Sequence, residues 1–306
     1  MPGDPLQVAL VSATPFRELD DDLPLLVDAL EAAGAAPRVV CWDEPGSDDG
    51  LAGVDAAVLR STWDYIDRVG EFLAWVDRAG RATRLANDPA LVRWNASKRY
   101  LADLAAAGLP VVASWWPADH PAGAGDGVDP AALPPWDDLV VKPSVSAGSR
   151  RTGRYRGDPA GAAAFAGRLR AAGVDVLVQP YVASVDADGE IGLLVFGGRV
   201  SHAVRKHAVL EAGRPPVDGY ELAVAQRVEP VAPPPGSDAL VADVLAALPG
   251  REAPLYARVD VVAGDDGPLL LEVELIEPAL FVDRAPGAAD RYAAAVVAWA
   301  AGGDDG

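Results

Sequence analysis

Cysteine is nearly absent from this 306-residue chain: Cys41 stands alone. That excludes an internal disulfide framework and metal sites built on several thiolates. Cys41 falls in a predicted strand, where core packing is its expected role, and a reducing cytoplasm is the simplest compartment. Histidine is scarce too, three in all. No Ser–His–Asp, Cys–His or HExxH arrangement stands out, so hydrolytic chemistry has little support. Positive charge is in deficit: 26 Lys and Arg face 45 Asp and Glu, for a net charge of −19 at pH 7. Broad nucleic-acid binding needs a basic patch, so none is expected. A buried phosphate pocket needs only a few cations and is still allowed. No apolar run is long enough to span a bilayer. The start "MPGDPLQVALV" lacks the basic region and long apolar stretch of a signal peptide. No membrane partner is expected.

The length suffices for two or three domains with real cores. Apolar strands are predicted at 6–12, 37–42 and 55–61, alternating with helices at 22–34 and 69–80. Such alternation predicts a small α/β domain with a parallel sheet. A helix over 90–108 follows, ended by Gly108, and then a Pro/Gly-rich loop at 117–135. "GAGDG" at 123–127 has no strand before it and fails the context of a dinucleotide site. Further on come a strand ending at Lys142, a helix near 158–173, the strand "VDVLVQPYV" and a hairpin at 189–206. "RPPVDG" and "VEPVAPPPG" read as loop or linker. Helices at 237–249 and 288–301 flank one more hairpin, and "GGDDG" is an expected frayed tail.

That last hairpin, "YARVDVVAGDDGPLLLEVEL" at 256–275, is the most informative stretch. A three-residue loop of Asp265, Asp266 and Gly267 between Gly264 and Pro268 sets Asp260 opposite Glu272 and Arg258 opposite Glu274. Period two places all four on one face, with Ala257, Val259, Val261, Leu271, Val273 and Leu275 on the other. Three carboxylates on one face repel. A divalent cation resolves this, because Mg²⁺ prefers oxygen ligands and shares them with substrate phosphates. The alternative is a solvated polar face.

Lys142 is followed by "PSVSAGSR". Its small residues allow close backbone approach, and successive N–H groups there can cradle phosphate. An exposed loop after a strand is the alternative. Lys98 lies in "WNASKRY" on the predicted helix, where a solvated charge is the alternative; "LVQPYV" offers Gln179 and a backbone edge to a purine, or is a plain strand end. In "SHAVRK", Arg205 is the preferred anion ligand, since guanidinium matches carboxylate or phosphate bidentately. "RSTWDY" follows a predicted parallel strand, where ligands of open α/β sheets bind. Arg60, Ser61, Thr62, Asp64 and Tyr65 are therefore substrate-pocket candidates; Trp63 and Tyr65 closing the sheet edge is the other reading.

These parts, in this order, resemble the ATP-grasp superfamily, over most of the chain and closest to its glutathione-synthetase-like members. "RSTWDY", "SHAVRK" and "ELIEPALF" are similar to the branch that includes D-cycloserine synthetase, which closes a ring by ATP-dependent attack of an amine on an activated carboxylate within one molecule. The resemblance implies an α/β and α+β architecture: an N-terminal α/β domain at 1–95, a small lid domain at 96–180 and a larger C-terminal α+β domain at 181–306. It implies ATP, with Mg²⁺ or Mn²⁺ as cofactor. Lys98, Lys142 and the loop Ser144, Ser146, Ala147, Gly148 and Ser149 match phosphate contacts; Gln179, Pro180, Tyr181, Val182 and Glu190 match adenosine contacts. Asp260, Glu272 and Glu274 match the metal ligands, and Arg258, helped by Arg205, the groups that steady an acyl phosphate. Glu274 stands where Asn is common, and Gly192 where an Arg often follows the ribose acid. The implied activity is an ADP-forming carboxylate–amine ligase of antibiotic biosynthesis acting on a small amino-acid-like substrate. An intermolecular amino-acid or peptide ligase and a non-catalytic ATP sensor are alternatives on the same fold. A Rossmann oxidoreductase lacks its placed G-x-G-x-x-G. An apolar edge strand of the N-terminal domain could serve a homodimer.

Overall fold

The computed structural model describes residues 4–47, 49–120, 127–250 and 252–302. The first sheet is parallel, in the order β2 (Ala36–Cys41), β1 (Gln7–Ser12), β3 (Ala56–Leu59), β4 (Arg84–Ala86). Helix α1 (Asp22–Ala32) connects β1 to β2, and α2 (Val69–Ala82) connects β3 to β4. Strand alternation splits β1 cleanly. Val8 and Leu10 pack with Leu26 and Leu30 of α1; Ala9 and Val11 pack with Phe72, Trp75 and Val76 of α2.

The expected helix over 90–108 is two helices, α3 (Pro89–Asn95) and α4 (Tyr100–Ala106). Asp88 caps α3 by accepting from the Ala90 amide at 2.8 Å. Lys98 therefore lies in a turn, not on a helix. The reason is a competing acceptor: the Lys98 amide donates to the Ser144 carbonyl at 2.7 Å.

A small antiparallel sheet, β6 (Gly153–Arg156), β5 (Asp138–Pro143), β7 (Val176–Pro180), carries α5 (Pro159–Ala171) on one face. The short α6 (Ser184–Asp188) leads into a five-stranded antiparallel sheet, ordered β10 (Val228–Val231), β9 (Arg199–Lys206), β8 (Glu190–Phe196), β11 (Tyr256–Gly264), β12 (Gly267–Glu274). The stretch read as a linker at 228–236 thus begins with an edge strand. Its Pro230 is tolerated because an edge strand needs only one hydrogen-bonded side. Helices α7 (Glu221–Ala225) and α8 (Ser237–Ala247) surround that edge, and α9 (Ala288–Ala300) closes the chain. One face of this sheet packs on α9 and the first sheet, through Leu194, Phe196, Tyr256 and Tyr292. The other packs on α4 and α8, through Leu193, Val259 and Val273. The glycine motif at 123–127, apart from Gly127, and the tail beyond Gly302 lie outside the described residues. Among the described residues no helix is long and apolar enough to cross a membrane.

Strand β12 is a sheet edge, yet its outer backbone is fully engaged where it matters. The Leu270 amide donates to Pro110 at 2.7 Å, and its carbonyl accepts from Val112 at 2.9 Å. The Val273 amide donates to the Tyr100 hydroxyl at 2.9 Å. Asn95 donates to the Val273 carbonyl at 2.8 Å and accepts from Leu275 at 2.9 Å. Asn87 donates to the carbonyls of Leu275 and Tyr256 at 2.7 and 2.9 Å and accepts from Leu255 at 2.8 Å. Replacing Asn87 by Ala strands these buried groups, at roughly 1–3 kcal/mol for a buried polar group left unpaired. We expect Asn87→Ala to lose about 3 kcal/mol in denaturant unfolding; a loss below about 1 kcal/mol would show that the clamp is unimportant.

Candidate active site

The β11–β12 pairing places Arg258 opposite Glu274 and Asp260 opposite Glu272, as expected, but by a different turn. Gly264 pairs with Gly267, so the loop is the two residues Asp265 and Asp266. A register shift between Asp260 and Val261 then leaves Leu271 as the extra residue of a bulge. Leu271 consequently joins Val262, Val112 and Val185 instead of the core face it was assigned to.

The repulsion among the carboxylates is met from within the chain. Arg258 donates to both Asp260 oxygens, at 2.9 and 3.0 Å, and also pairs with Glu274. Lys206 lies 2.8 Å from Asp260 and 3.1 Å from Glu190. Lys98 lies 2.9 Å from Glu272 and donates to the Ser146 carbonyl at 2.8 Å. Burial opposes ionisation of Asp260, but Arg258 and Lys206 outweigh it and hold its pKa low. Burial likewise opposes ionisation of Glu272, and Lys98 and Lys142 prevail. Lys142, itself buried, is drawn down to about 8, chiefly by loss of solvation. Gly192 has a reason to be glycine. A Cβ there would stand 3.0 Å from an Asp260 oxygen and 3.2 Å from Arg258 Cδ. The space an arginine side chain would need is already filled by the Arg258–Asp260 pair.

Lys206, not Arg205, serves this face. The β8–β9 register sets Glu190 beside Lys206, and period two turns Arg205 to the opposite side, where it meets Glu229 at 3.3 Å. The sequence held that signal in the spacing of Val204 and Lys206.

The loop after Lys142 folds over the same region. Ser144 is buried, its amide bound to the Asp175 carbonyl at 2.8 Å. Gly148, Ser149 and Arg151 adopt positive φ of 61°, 58° and 51°. Gly148 runs close under Tyr220, which a Cβ would approach to 3.0 Å. Arg150 pairs with Asp67 at 2.8 Å, and Arg151 with Asp218 at 2.9 Å. Ser146 thus stands between Lys98, which donates to its carbonyl, and the Tyr65–Ile66 segment with which it shares cavity walls.

At the expected adenine edge, the Gln179 side chain is not available to a base: it is buried and donates to the Ser114 hydroxyl at 3.0 Å. Val182 and Tyr181 instead border an apolar group with Val112, Val185 and Val262. Tyr181 donates to Asp186 at 2.6 Å, with the Arg154 guanidinium 3.3 Å above its ring. Pro180 ends β7 beside them. Glu190 is held by Lys206.

The N-terminal candidates divide. Arg60, Ser61 and Thr62 are fully buried. Arg60 donates to the Pro278 carbonyl at 3.2 Å and lies 3.8 Å from Asp22, so it braces the fold instead of meeting substrate. Ser61 bonds Ser12 at 2.8 Å. Asp64 accepts from the Trp42 indole at 2.9 Å and pairs with Arg68. Tyr65 alone of the five lines the central cavity, beside Lys98, Ser146, Glu272, Glu274 and Glu277. Glu277 was not among the expected site residues, although "ELIEPALF" contains it. Burial, then Glu274, pushes it up to about 8, against the opposing pull of Lys98 and of the neighbouring Tyr65 hydroxyl. A larger cleft of about 280 Å³ opens on the other side of Ser146, between Ile66, Val69, Val145 and Val174.

Among the described residues no group of three or more acids, histidines or cysteines surrounds a cation position. Asp260 is 1% exposed and bonded at both oxygens, so as the site stands it is no free ligand. Glu272 and Glu274, about a quarter exposed at their side chains, are the two that fit. Two carboxylates completed by phosphate oxygens match the habit of Mg²⁺.

Residues 8–87 match the family model of the D-cycloserine synthetase DcsG N-terminal domain. The cycloserine biosynthesis protein DcsG of Streptomyces lavendulae is 38% identical over 296 residues, 94% of this chain and 97% of that protein. The crystal structure of D-cycloserine synthetase DcsG superposes with a TM-score of 0.82 at 34% identity, covering 96% of this chain and 99% of that one. D-alanine–D-alanine ligase from Bacillus anthracis, at 14% identity, TM-score 0.63 and 95% coverage of each chain, shares the fold alone. By this breadth of likeness, the chain belongs to the D-cycloserine synthetase family of ATP-grasp ligases.

Proposed function

We propose that this ADP-forming ligase activates the carboxylate of an amino-acid derivative and closes a ring with an amine of the same molecule. The observation that carries the reading is one junction. Lys98 touches Glu272 and the Ser146 carbonyl at once, which joins a cation, a candidate metal ligand and the small-residue loop. A substrate carboxylate oxygen would attack the γ-phosphorus, and ADP would depart. The amine would then attack the acyl carbon, with phosphate leaving and one proton lost from nitrogen. Lys98, Lys142 and the 144–149 loop are suited to orient the phosphates, and Arg258 to meet the negative charge of the acyl phosphate. Glu272 and Glu274 would hold Mg²⁺, which supplies charge neutralisation at the transferring phosphoryl group. The apolar rim of Val182 and Tyr181 suits adenine. No acid–base dyad is required, because positioning and electrostatics supply most of such catalysis. Three sheets in 1–95, 96–180 and 181–306 support the three-domain division. Use of ATP and a single buried cysteine support a cytoplasmic setting.

Three outcomes follow. Incubated with Mg-ATP and ureido or aminooxy amino acids, the protein is expected to release ADP with a product one water lighter than the expected direct precursor of the ring. A product joining two substrates would make it an intermolecular ligase. Glu272→Ala is expected to lower ATP turnover on the order of 10²–10³-fold with circular dichroism unchanged; near-normal turnover would remove the metal assignment. Lys142, with a free pKa of about 8, must be charged to hold phosphate. ATP binding is therefore expected to take up protons between roughly pH 7 and 9, and hardly any at pH 6, where Lys142 is already protonated. Calorimetry in buffers of differing ionisation enthalpy reads this; no uptake near pH 8 would separate Lys142 from the phosphates.

A further inference from the structure

The other acids of this region already have cations. Glu272 has Lys98, Glu274 has Arg258, Asp260 has Arg258 and Lys206, and Glu190 has Lys206. Glu277, 7% exposed, has none within ion-pair distance among the described residues; the neutral Tyr65 phenol lines the same cavity, and Lys98 acts on the carboxyl only from farther off. Yet the backbone around it is firmly held. The Trp63 indole N–H donates to the Glu277 carbonyl at 2.8 Å, and Arg60 donates to the next carbonyl, of Pro278, at 3.2 Å. The carboxyl is thus fixed in the wall of a small cavity of about 20 Å³, room for one ammonium-sized group, that it shares with Lys98 and Ser146, on the side bounded by Tyr65. A buried carboxyl without a counterion is costly when ionised, and a matched cation removes that cost. One carboxylate with a phenol in the same cavity wall suits a monovalent donor such as an ammonium, whereas a divalent metal demands several oxygens.

We propose that Glu277, with the Tyr65 hydroxyl beside it in the cavity wall, receives the amino group of the substrate. It would thereby set which end of an amino-acid derivative faces the phosphate loop. This deepens the ligase reading and rests on it. The substrate class so selected is one with a free primary amine, and the des-amino analogue is rejected.

Calorimetric titration of the full chain loaded with Mg-ADP tests this, using D-cycloserine and isoxazolidin-3-one, the same ring without the amine. The wild-type protein is expected to bind the amine-bearing ring at least about tenfold more tightly. Glu277→Gln is expected to lose that preference while binding Mg-ADP as before, which also serves as the folding control. Tyr65→Phe keeps the carboxyl and is expected to weaken the amine-bearing ring alone. A Glu277→Gln protein that retains the preference, or a wild-type protein without one, overturns the assignment. A wild-type protein that binds Mg-ADP but neither ring overturns the cyclo-ligase reading beneath it.

Discussion

The buried row of ions on one face of the five-stranded sheet is the constraint to which the rest of the site conforms. It runs from Glu190 through Lys206 and Asp260 to Arg258 and Glu274, with Lys98 and Glu272 alongside. Desolvating such charges is costly, and each survives only because its partner is placed within hydrogen-bond reach. That is a weak source of stability but a strong source of position. Gly192 is small so that Arg258 can lie flat against Asp260. Lys98 sits in a turn so that its ammonium can span Glu272 and Ser146. Glu190, Asp260, Glu272 and Glu274 face Lys98, Lys142, Lys206 and Arg258. The face is nearly balanced in charge, despite the excess of acid in the chain as a whole. Nucleotide phosphates bound there, as proposed, would upset this balance. On the proposed assignments Lys98 could turn to them only by releasing Glu272, which would then need another cation, so the proposed phosphate and metal sites are two sides of one exchange.

Exchange requires that the carboxylates keep their places while partners change. Strand β12 achieves this by having its exposed edge occupied. Pro110, Val112, Tyr100, Asn95 and Asn87 satisfy the backbone at Leu270, Val273 and Leu275, of which Val273 and Leu275 flank Glu274 and Val273 also follows Glu272. An edge strand left open would be free to fray or to pair with another chain. Here it is sutured to α3 and α4, the same helices whose interrupting turn carries Lys98.

Much of this was legible in the sequence, and the misses are instructive. The Asp260–Glu272 pairing was reached from period two and a turn, although the loop proposed was one residue too long. The Leu271 bulge restores the count, and nothing local announces it. Arg205 was preferred to Lys206 for its chemistry, but register decides which side chain faces Asp260, and register depends on the partner strand. Lys98 looked helical because α3 and α4 are each good helices; the break is imposed by the Ser144 carbonyl, 46 residues away in sequence. Arg60 follows a parallel strand, as pocket residues often do. The segment at 278–282 and Asp22 bury it, and no local pattern reports such a contact. Gln179 was read by its capacity to bond, without knowledge that Ser114 already takes it.

The proposed substrate side is tied to the proposed phosphate side by more than proximity. Trp63 donates to Glu277 and accepts, through its carbonyl, from the Tyr220 hydroxyl at 2.8 Å. Tyr220 lies under Gly148 of the phosphate loop and 4.9 Å from the Arg150 guanidinium, which itself reaches Asp67. Phe16 packs edge-on against both Trp63 and Tyr220, at 5.4 and 5.2 Å. A displacement of the loop at 148–151 would therefore be felt at Trp63, and through its indole at Glu277. In a reaction whose barrier is lowered mainly by holding atoms in line, such a linkage matters more than any single contact. On the proposed assignments it makes the geometry of the amine and that of the phosphates dependent on one another. Such dependence would let a chain poor in reactive side chains act by positioning.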